Sequence, residues 1–244
     1  VTPVREFTRA GATLVAEGHR EGEPVYVLVH GIGMGRTVFG DLRDRLGADS
    51  AVVALDLPGY GEAPEPPRVL TMERTADLVG AYLREVIRRP AILVGHSMGA
   101  QVAIEVAVRH PATLARLVLI GPSGDPTARS AAAQFGRLAR DLIIESPRVI
   151  AIGAREYLRA GPNLRGKFRA LLAHRPEDVL ADVSSPTLVL RGEDDVVAPR
   201  SWCRRIVDAV PDARLAEVAG HGHETMIRDA GPAAALIREF AAEG

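Results

Sequence analysis

Ala91-Ile92-Leu93-Val94-Gly95-His96-Ser97-Met98-Gly99 sets a short apolar run against a serine flanked by two glycines, and Ala100 to Arg109 continue with helical periodicity. The order is strand, sharp turn, helix, with G-x-S-x-G on the turn. Around so tight a bend the backbone is driven toward positive φ, and neighbouring segments crowd in where a Cβ would collide, so each glycine has a steric reason. A bare G-x-S-x-G is common in a chain with 24 glycines. One that follows an apolar strand and opens an amphipathic helix is much rarer, and it predicts a serine hydroxyl held clear of both elements.

On either side, strand-like and helix-like runs alternate, the pattern of a mostly parallel sheet covered by helices on both faces. Thr8 to Glu17 with the Arg20-Glu21-Gly22-Glu23 turn reads as an opening hairpin. Val25 to Val29 is a continuous apolar strand, as expected in the buried middle of a parallel sheet. Val38 to Leu46 reads as helix, Ala51 to Leu57 as strand, Met72 to Ile87 as a long amphipathic helix and Arg116 to Ile120 as strand. After Gly121-Pro122-Ser123-Gly124 the alternation stops. Arg129 to Glu145, Pro147 to Arg159 and Arg165 to Ala173 are all helix-like, with a Gly161-Pro162 turn between. Strand and helix resume with Thr187 to Leu190, Ser201 to Val210, Arg214 to Val218 and Pro232 to Ala242. The reading is an α/β core over 1–122 and 183–244, with 123–182 inserted as a helical cap.

The bulk properties exclude several classes. With 47% hydrophobic and 25% charged residues the chain can bury a core, and a net charge of −1 points to neither nucleic acid nor an anionic membrane. No apolar run reaches the roughly 18 residues a membrane span needs, and Val1 to Glu6 lacks a signal-peptide pattern. The single cysteine, Cys203, fits a reducing cytoplasm and reads as a bystander within a helix.

The elbow in this setting resembles the nucleophile elbow of the α/β-hydrolase family. That resemblance implies an α/β-hydrolase fold with a mostly parallel eight-stranded sheet, and a serine followed in the chain by an acid and then a histidine. A serine alcohol needs a base in reach and a carboxylate to hold that base in the right tautomer. The acid lies in Gly192-Glu193-Asp194-Asp195-Val196-Val197-Ala198-Pro199, which is similar to the family's G-x-x-D-x-x-x-P and selects Asp195 over Asp194. A rival reading has both aspartates merely capping the next helix. The base lies in Val218-Ala219-Gly220-His221-Gly222-His223. The family's V-P-G-x-G-H matches at four positions and selects His223, with Ala219 in place of proline, whereas G-H alone would choose His221.

His30-Gly31-Ile32-Gly33 resembles the family's H-G-x-G loop, which implies an oxyanion hole made by the backbone N–H groups of Ile32 and Met98, with His30 bracing the loops beneath. It lacks the spacing of a phosphate-binding glycine loop. Asp56-Leu57-Pro58-Gly59-Tyr60-Gly61 is similar to D-x-x-G-x-G-x-S, but Ala63 replaces the last serine. H-x-H-E at 221–224 is not a zinc motif, and the resemblance calls for no metal or cofactor. Ten basic against six acidic residues over 125–180 make a modest positive excess. It reads as solvated helix surface or, more sharply, as attraction for an acyl carrier or an anionic substrate. Apolar residues from Phe135 to Leu158 are candidates to roof an acyl pocket.

The implied activity is hydrolysis of a small or medium carboxylic ester through an acyl-enzyme. Perhydrolase and thioesterase chemistry share the apparatus, and carbon–carbon hydrolases typically carry Asn where this chain has His96. A non-catalytic binding protein on the same scaffold is the rival of another class.

Overall fold

The strand Val25–Val29 (β3) shows why this sequence makes a buried sheet: Val25, Val27 and Val29 enter one core and Tyr26 and Leu28 the other. A strand with an apolar partner on both faces must be apolar throughout. The computed structural model describes residues 4–128 and 163–243.

Eight strands form one sheet in the order β1-β2-β4-β3-β5-β6-β7-β8. They are Val4–Arg9 (β1), Ala12–His19 (β2), β3, Ala51–Asp56 (β4), Ala91–His96 (β5), Leu114–Ile120 (β6), Thr187–Gly192 (β7) and Ala213–Val218 (β8). From β4 to β8 the pairings are parallel, while β1 and β2 are antiparallel. Helices Met72–Tyr82 (α2), Met98–Arg109 (α3) and Arg200–Ala209 (α5) cover one face with Val79, Val102 and Trp202 among the buried contacts. Gly40–Leu46 (α1) and Gly231–Ala242 (α7) cover the other with Leu42, Ile237 and Phe240. Leu164–Ala173 (α4) and the single turn Thr225–Arg228 (α6) complete the described helices.

Two expectations move. The opening hairpin turns at Ala10-Gly11, both at positive φ (49° and 77°), with Arg9 opposite Ala12; Arg20 to Glu23 instead joins β2 to β3. A two-residue loop with positive φ at both positions matches the twist of the flanking strands, and Gly11 supplies part of it without cost. The helix expected to Ile87 loses α geometry after Tyr82 and closes with a wider turn over Leu83–Ile87, ending at Arg88 in the left-handed region. The expected helices Arg129 to Glu145 and Pro147 to Arg159, the Gly161-Pro162 turn and the candidate pocket residues Phe135 to Leu158 lie outside the described residues.

Candidate active site

The loops that follow β3, β4, β5, β6, β7 and β8 leave the sheet at its carboxyl edge, the side where open α/β sheets collect ligands. Ser97 sits between β5 and α3 at φ 53°, ψ −112°, a sparsely populated conformation for a residue with a Cβ. Three backbone bonds hold it: its N–H donates to Ile120 O (3.0 Å), and its carbonyl accepts from Ala100 N (3.1 Å) and Ser123 N (3.4 Å). The positive φ expected at the glycines is thus carried by the serine itself. Gly95 and Gly99 serve close approach instead, since a Cβ on Gly95 would run into the Gly99 carbonyl and one on Gly99 into that of Val29.

Asp195 is buried in the turn after β7, where its N–H donates to Gly192 O at 3.1 Å. Its Oδ1 accepts from the amides of Val197 and Ala198, both at 2.8 Å, which leaves Oδ2 for His223 Nδ1 at 2.9 Å. Asp194 is exposed and contributes only its backbone N–H, to His221 O. Arg191, a lone charge at the end of an apolar strand, is buried and clamps this turn. It donates to Ala198 O (3.0 Å), Asp195 O (2.8 Å) and Glu217 (2.5 Å). Sequence reasoning passed it over, although an arginine inside a buried strand needs acceptors and signals a built structure around it.

His223 is buried and His221 is not. The His221 Nδ1 bonds to the Ala219 carbonyl at 3.0 Å. Of the two histidines, His223 is therefore the one brought to Asp195. The pair lies against Gly121, the residue after β6, where an added Cβ would stand 2.9 Å from His223 Nδ1. The neighbour of Ser97, His96, reaches the same place: its Nε2 donates to the His223 carbonyl (3.2 Å), and the two rings stand 4.9 Å apart. Burial, and then the charge of the adjacent His223, pushes His96 well below the usual histidine range, so its ring stays neutral. Sequence reasoning gave His96 no such role.

His30 orients the loop after β3. The Leu57 N–H donates to its Nε2 (3.0 Å), so the proton rests on Nδ1, which donates to Gly31 O (2.8 Å). Burial lowers its pKa, so the neutral ring persists. Met34 N also donates to Gly31 O, at 3.3 Å. With the carbonyl end of peptide 31–32 held, the Ile32 N–H at its other end points the opposite way. Met98 N is the first amide of α3, one of the donors a helix start leaves without an intrahelical acceptor.

Asp56 braces the next loop. Its carboxylate accepts from the Arg36 N–H (2.5 Å), the Glu62 N–H (2.9 Å) and the Arg36 guanidinium. Arg36 also pairs with Glu17 (2.7 Å) and Glu62 (2.8 Å); burial alone would lower its pKa, but the three carboxylates outweigh it and raise it. At Ala63, where a serine hydroxyl is missing, the Ala63 N–H to Tyr60 O bond (2.9 Å) still closes the turn.

Among the described residues two groups bring metal-ligating atoms within 4.8 Å of one another: His96, His223 and Glu224; and Glu73, Glu105 and His174. In both, the imidazoles are already engaged with protein acceptors. Cys203 is buried in α5, its thiol pushed up to about 12 by burial. Of the basic residues expected to attract an anion, Lys167 is buried on Glu65 (2.7 Å) and Arg175 pairs with Asp178, while Arg165 and Arg169 are exposed. Arg129, Arg137, Arg140, Arg148, Arg155 and Arg159 lie outside the described residues.

A model of the alpha/beta hydrolase family matches residues 26–237. A pimeloyl-[acyl-carrier protein] methyl ester esterase of Aromatoleum aromaticum is 29% identical over 88% of this chain and 97% of its own. A 2-hydroxymuconate semialdehyde hydrolase of a Pseudomonas species is 27% identical over 98% and 94%. Among solved structures, a thermophilic esterase from Thermogutta terrifontis aligns with a TM-score of 0.83 at 25% identity, over 98% of this chain and 97% of that one.

Proposed function

The chain belongs to the alpha/beta hydrolase family, and from that membership we propose that it is a serine hydrolase cleaving a carboxylic ester of small or medium acyl chain. The observation that carries this reading is the 2.9 Å contact between His223 Nδ1 and a buried, amide-anchored Asp195, with His96, the residue before Ser97, bonded to the His223 carbonyl at 3.2 Å. Asp195 holds the proton of His223 on Nδ1 and leaves Nε2 as the base. Ser97 Oγ attacks the acyl carbon while His223 Nε2 takes its proton. The negative oxygen of the tetrahedral intermediate is held by the N–H groups of Ile32 and Met98, donors that need no reorganisation. His223 returns the proton to the leaving alcohol, then activates a water that clears the acyl-enzyme. Residues 123–182 act as a cap over this site.

Two kinds of relative bear on the substrate. Names that specify a methyl ester esterase and an esterase support ester cleavage. The semialdehyde hydrolase keeps a second reaction in view, but His96 stands where carbon–carbon hydrolases carry asparagine. Thioesters and peracids use the same apparatus, and rates on matched thioester and ester substrates sort them.

A fluorophosphonate probe read by intact mass tests the reading. One adduct is expected on the wild type and none on Ser97→Ala. If the wild type stays unlabelled under conditions that label a control esterase, the chain is a binding protein on this scaffold and the hydrolase reading falls.

A further inference from the structure

His174, one residue beyond α4, is 7% exposed, and both its ring nitrogens face α3. Nδ1 lies 2.9 Å from Gln101 Oε1 and Nε2 lies 2.8 Å from Glu105 Oε1. Gln101 in turn donates its Nε2 to Ser123 Oγ at 3.0 Å. The backbone N–H of Ser123 donates to the carbonyl of Ser97 at 3.4 Å, the longest of the three bonds on that strained residue. Gln101, Glu105 and Ser123 are all buried. The segments interlock at Gly124 (φ +102°), where an added Cβ would stand 2.7 Å from the Pro176 ring and 3.1 Å from Gln101 Nε2. A continuous buried chain therefore joins the segment after α4 to the main chain of Ser97.

The two oxygens that face the imidazole hold its ring against α3 from both nitrogens, so the ring fixes where the Gln101 amide stands, and Gln101 fixes the Ser123 hydroxyl. Glu73 of α2 lies with Glu105 and His174, and Arg109 of α3 acts on both carboxylates. The imidazole, the amide and the hydroxyl form one unit.

We propose that His174 is a positioning residue for Ser97: through Gln101 and Ser123 it fastens the carbonyl of the nucleophile elbow to the segment after α4. This rests on Ser97 being the nucleophile. The test compares wild type with His174→Gln, Gln101→Met and the double variant on p-nitrophenyl butyrate, with kcat and KM read separately. Each single variant is expected to lose about ten-fold in kcat with KM nearly unchanged. The double variant should lose no more than Gln101→Met alone, because both changes cut one chain. Losses that multiply, unchanged kcat in Gln101→Met, or a change in KM alone overturn the inference. Amide hydrogen exchange of Ser123 in the wild type supplies a reading that needs no variant to fold: a protected amide is expected, and exchange at the rate of an open loop overturns it. Wild type that hydrolyses ester and takes the fluorophosphonate while both variants keep wild-type kcat sinks this inference alone. Wild type that does neither sinks the hydrolase reading and this inference with it.

Discussion

Replacing Asp195 with asparagine isolates what its carboxylate does for His223. The change is isosteric, and the two amides of Val197 and Ala198, each 2.8 Å from Oδ1, decide which way the new side chain faces. With oxygen toward them both bonds survive, and the amide NH2 points at His223 Nδ1. The opposite orientation sets a donor against two donors in a buried turn, at a cost of about 1–3 kcal/mol for each lost bond. The first orientation wins. His223 then has to accept at Nδ1 and carry its proton on Nε2, the nitrogen that must take the proton of Ser97. The expected kcat is about 10³–10⁴-fold lower, a barrier increase of roughly 4–5.5 kcal/mol. Rapid mixing with p-nitrophenyl acetate separates the two half-reactions, and both should slow, because one base serves both. Asp194→Asn is the control; that side chain is exposed, and its backbone bond is untouched, so activity within about two-fold of wild type is expected. An Asp195→Asn enzyme within ten-fold of wild type refutes the tautomer argument.

His223→Ala should cost several orders of magnitude in kcat/KM, and His221→Ala, whose Nδ1 meets only the Ala219 carbonyl, little; the reverse ranking in ester assays exchanges the two roles. Arg36→Met strands the buried Asp56 carboxylate, and urea denaturation should register a loss of about 3–5 kcal/mol; a loss below 1 kcal/mol contradicts the bracing role. Hydrogen bonds from Arg109 (both 2.8 Å) hold the Asp77 carboxyl below its ordinary value against the opposing effect of burial, and His110 adds to the lowering. A depressed carboxyl contributes stability that is complete above its unfolded value, about pH 4, and is lost as pH falls through the lower folded one. The urea midpoint of Asp77→Asn should accordingly drop less than that of wild type between neutral pH and pH 3, and equal drops would dismiss the pair.

The elements most legible in the sequence are those whose pattern is local. Val25 to Val29 and Ala91 to Val94 had to be interior strands because nothing polar interrupts them, and the strand–turn–helix around Ser97 follows from neighbours in the chain. Ala10-Gly11 was hidden because alanine in the left-handed region leaves no compositional mark, whereas Arg20 to Glu23 looks like a turn and is one, between other strands. The family's motif register selected Asp195 over Asp194 and His223 over His221, while the physical difference between the two histidines, two residues apart on a loop, is which ring faces a carboxylate 28 positions upstream. Arg191 and His174 went unread for the same reason. Their partners are distant in the chain, and only the folded sheet makes them neighbours.

β6 and β7 are adjacent and paired, and Gly121 N still bonds to Leu190 O (2.8 Å) beyond the last paired residues. Parallel strands need a crossover to the other edge of the sheet, yet the stretch inserted after Gly124 departs from and returns to one place, since a Cβ on Gly124 would stand 2.7 Å from the Pro176 ring. When the ends of an excursion are already joined, its entropic penalty grows only with the logarithm of its length, about 0.6 kcal/mol per doubling. The scaffold is therefore almost indifferent to how long that excursion is. Evolution or a protein engineer can exchange its middle for a foreign segment and keep the same catalyst, so long as the graft leaves after Gly124 and rejoins ahead of Leu164, keeping Ser123, Lys167 and His174 in place.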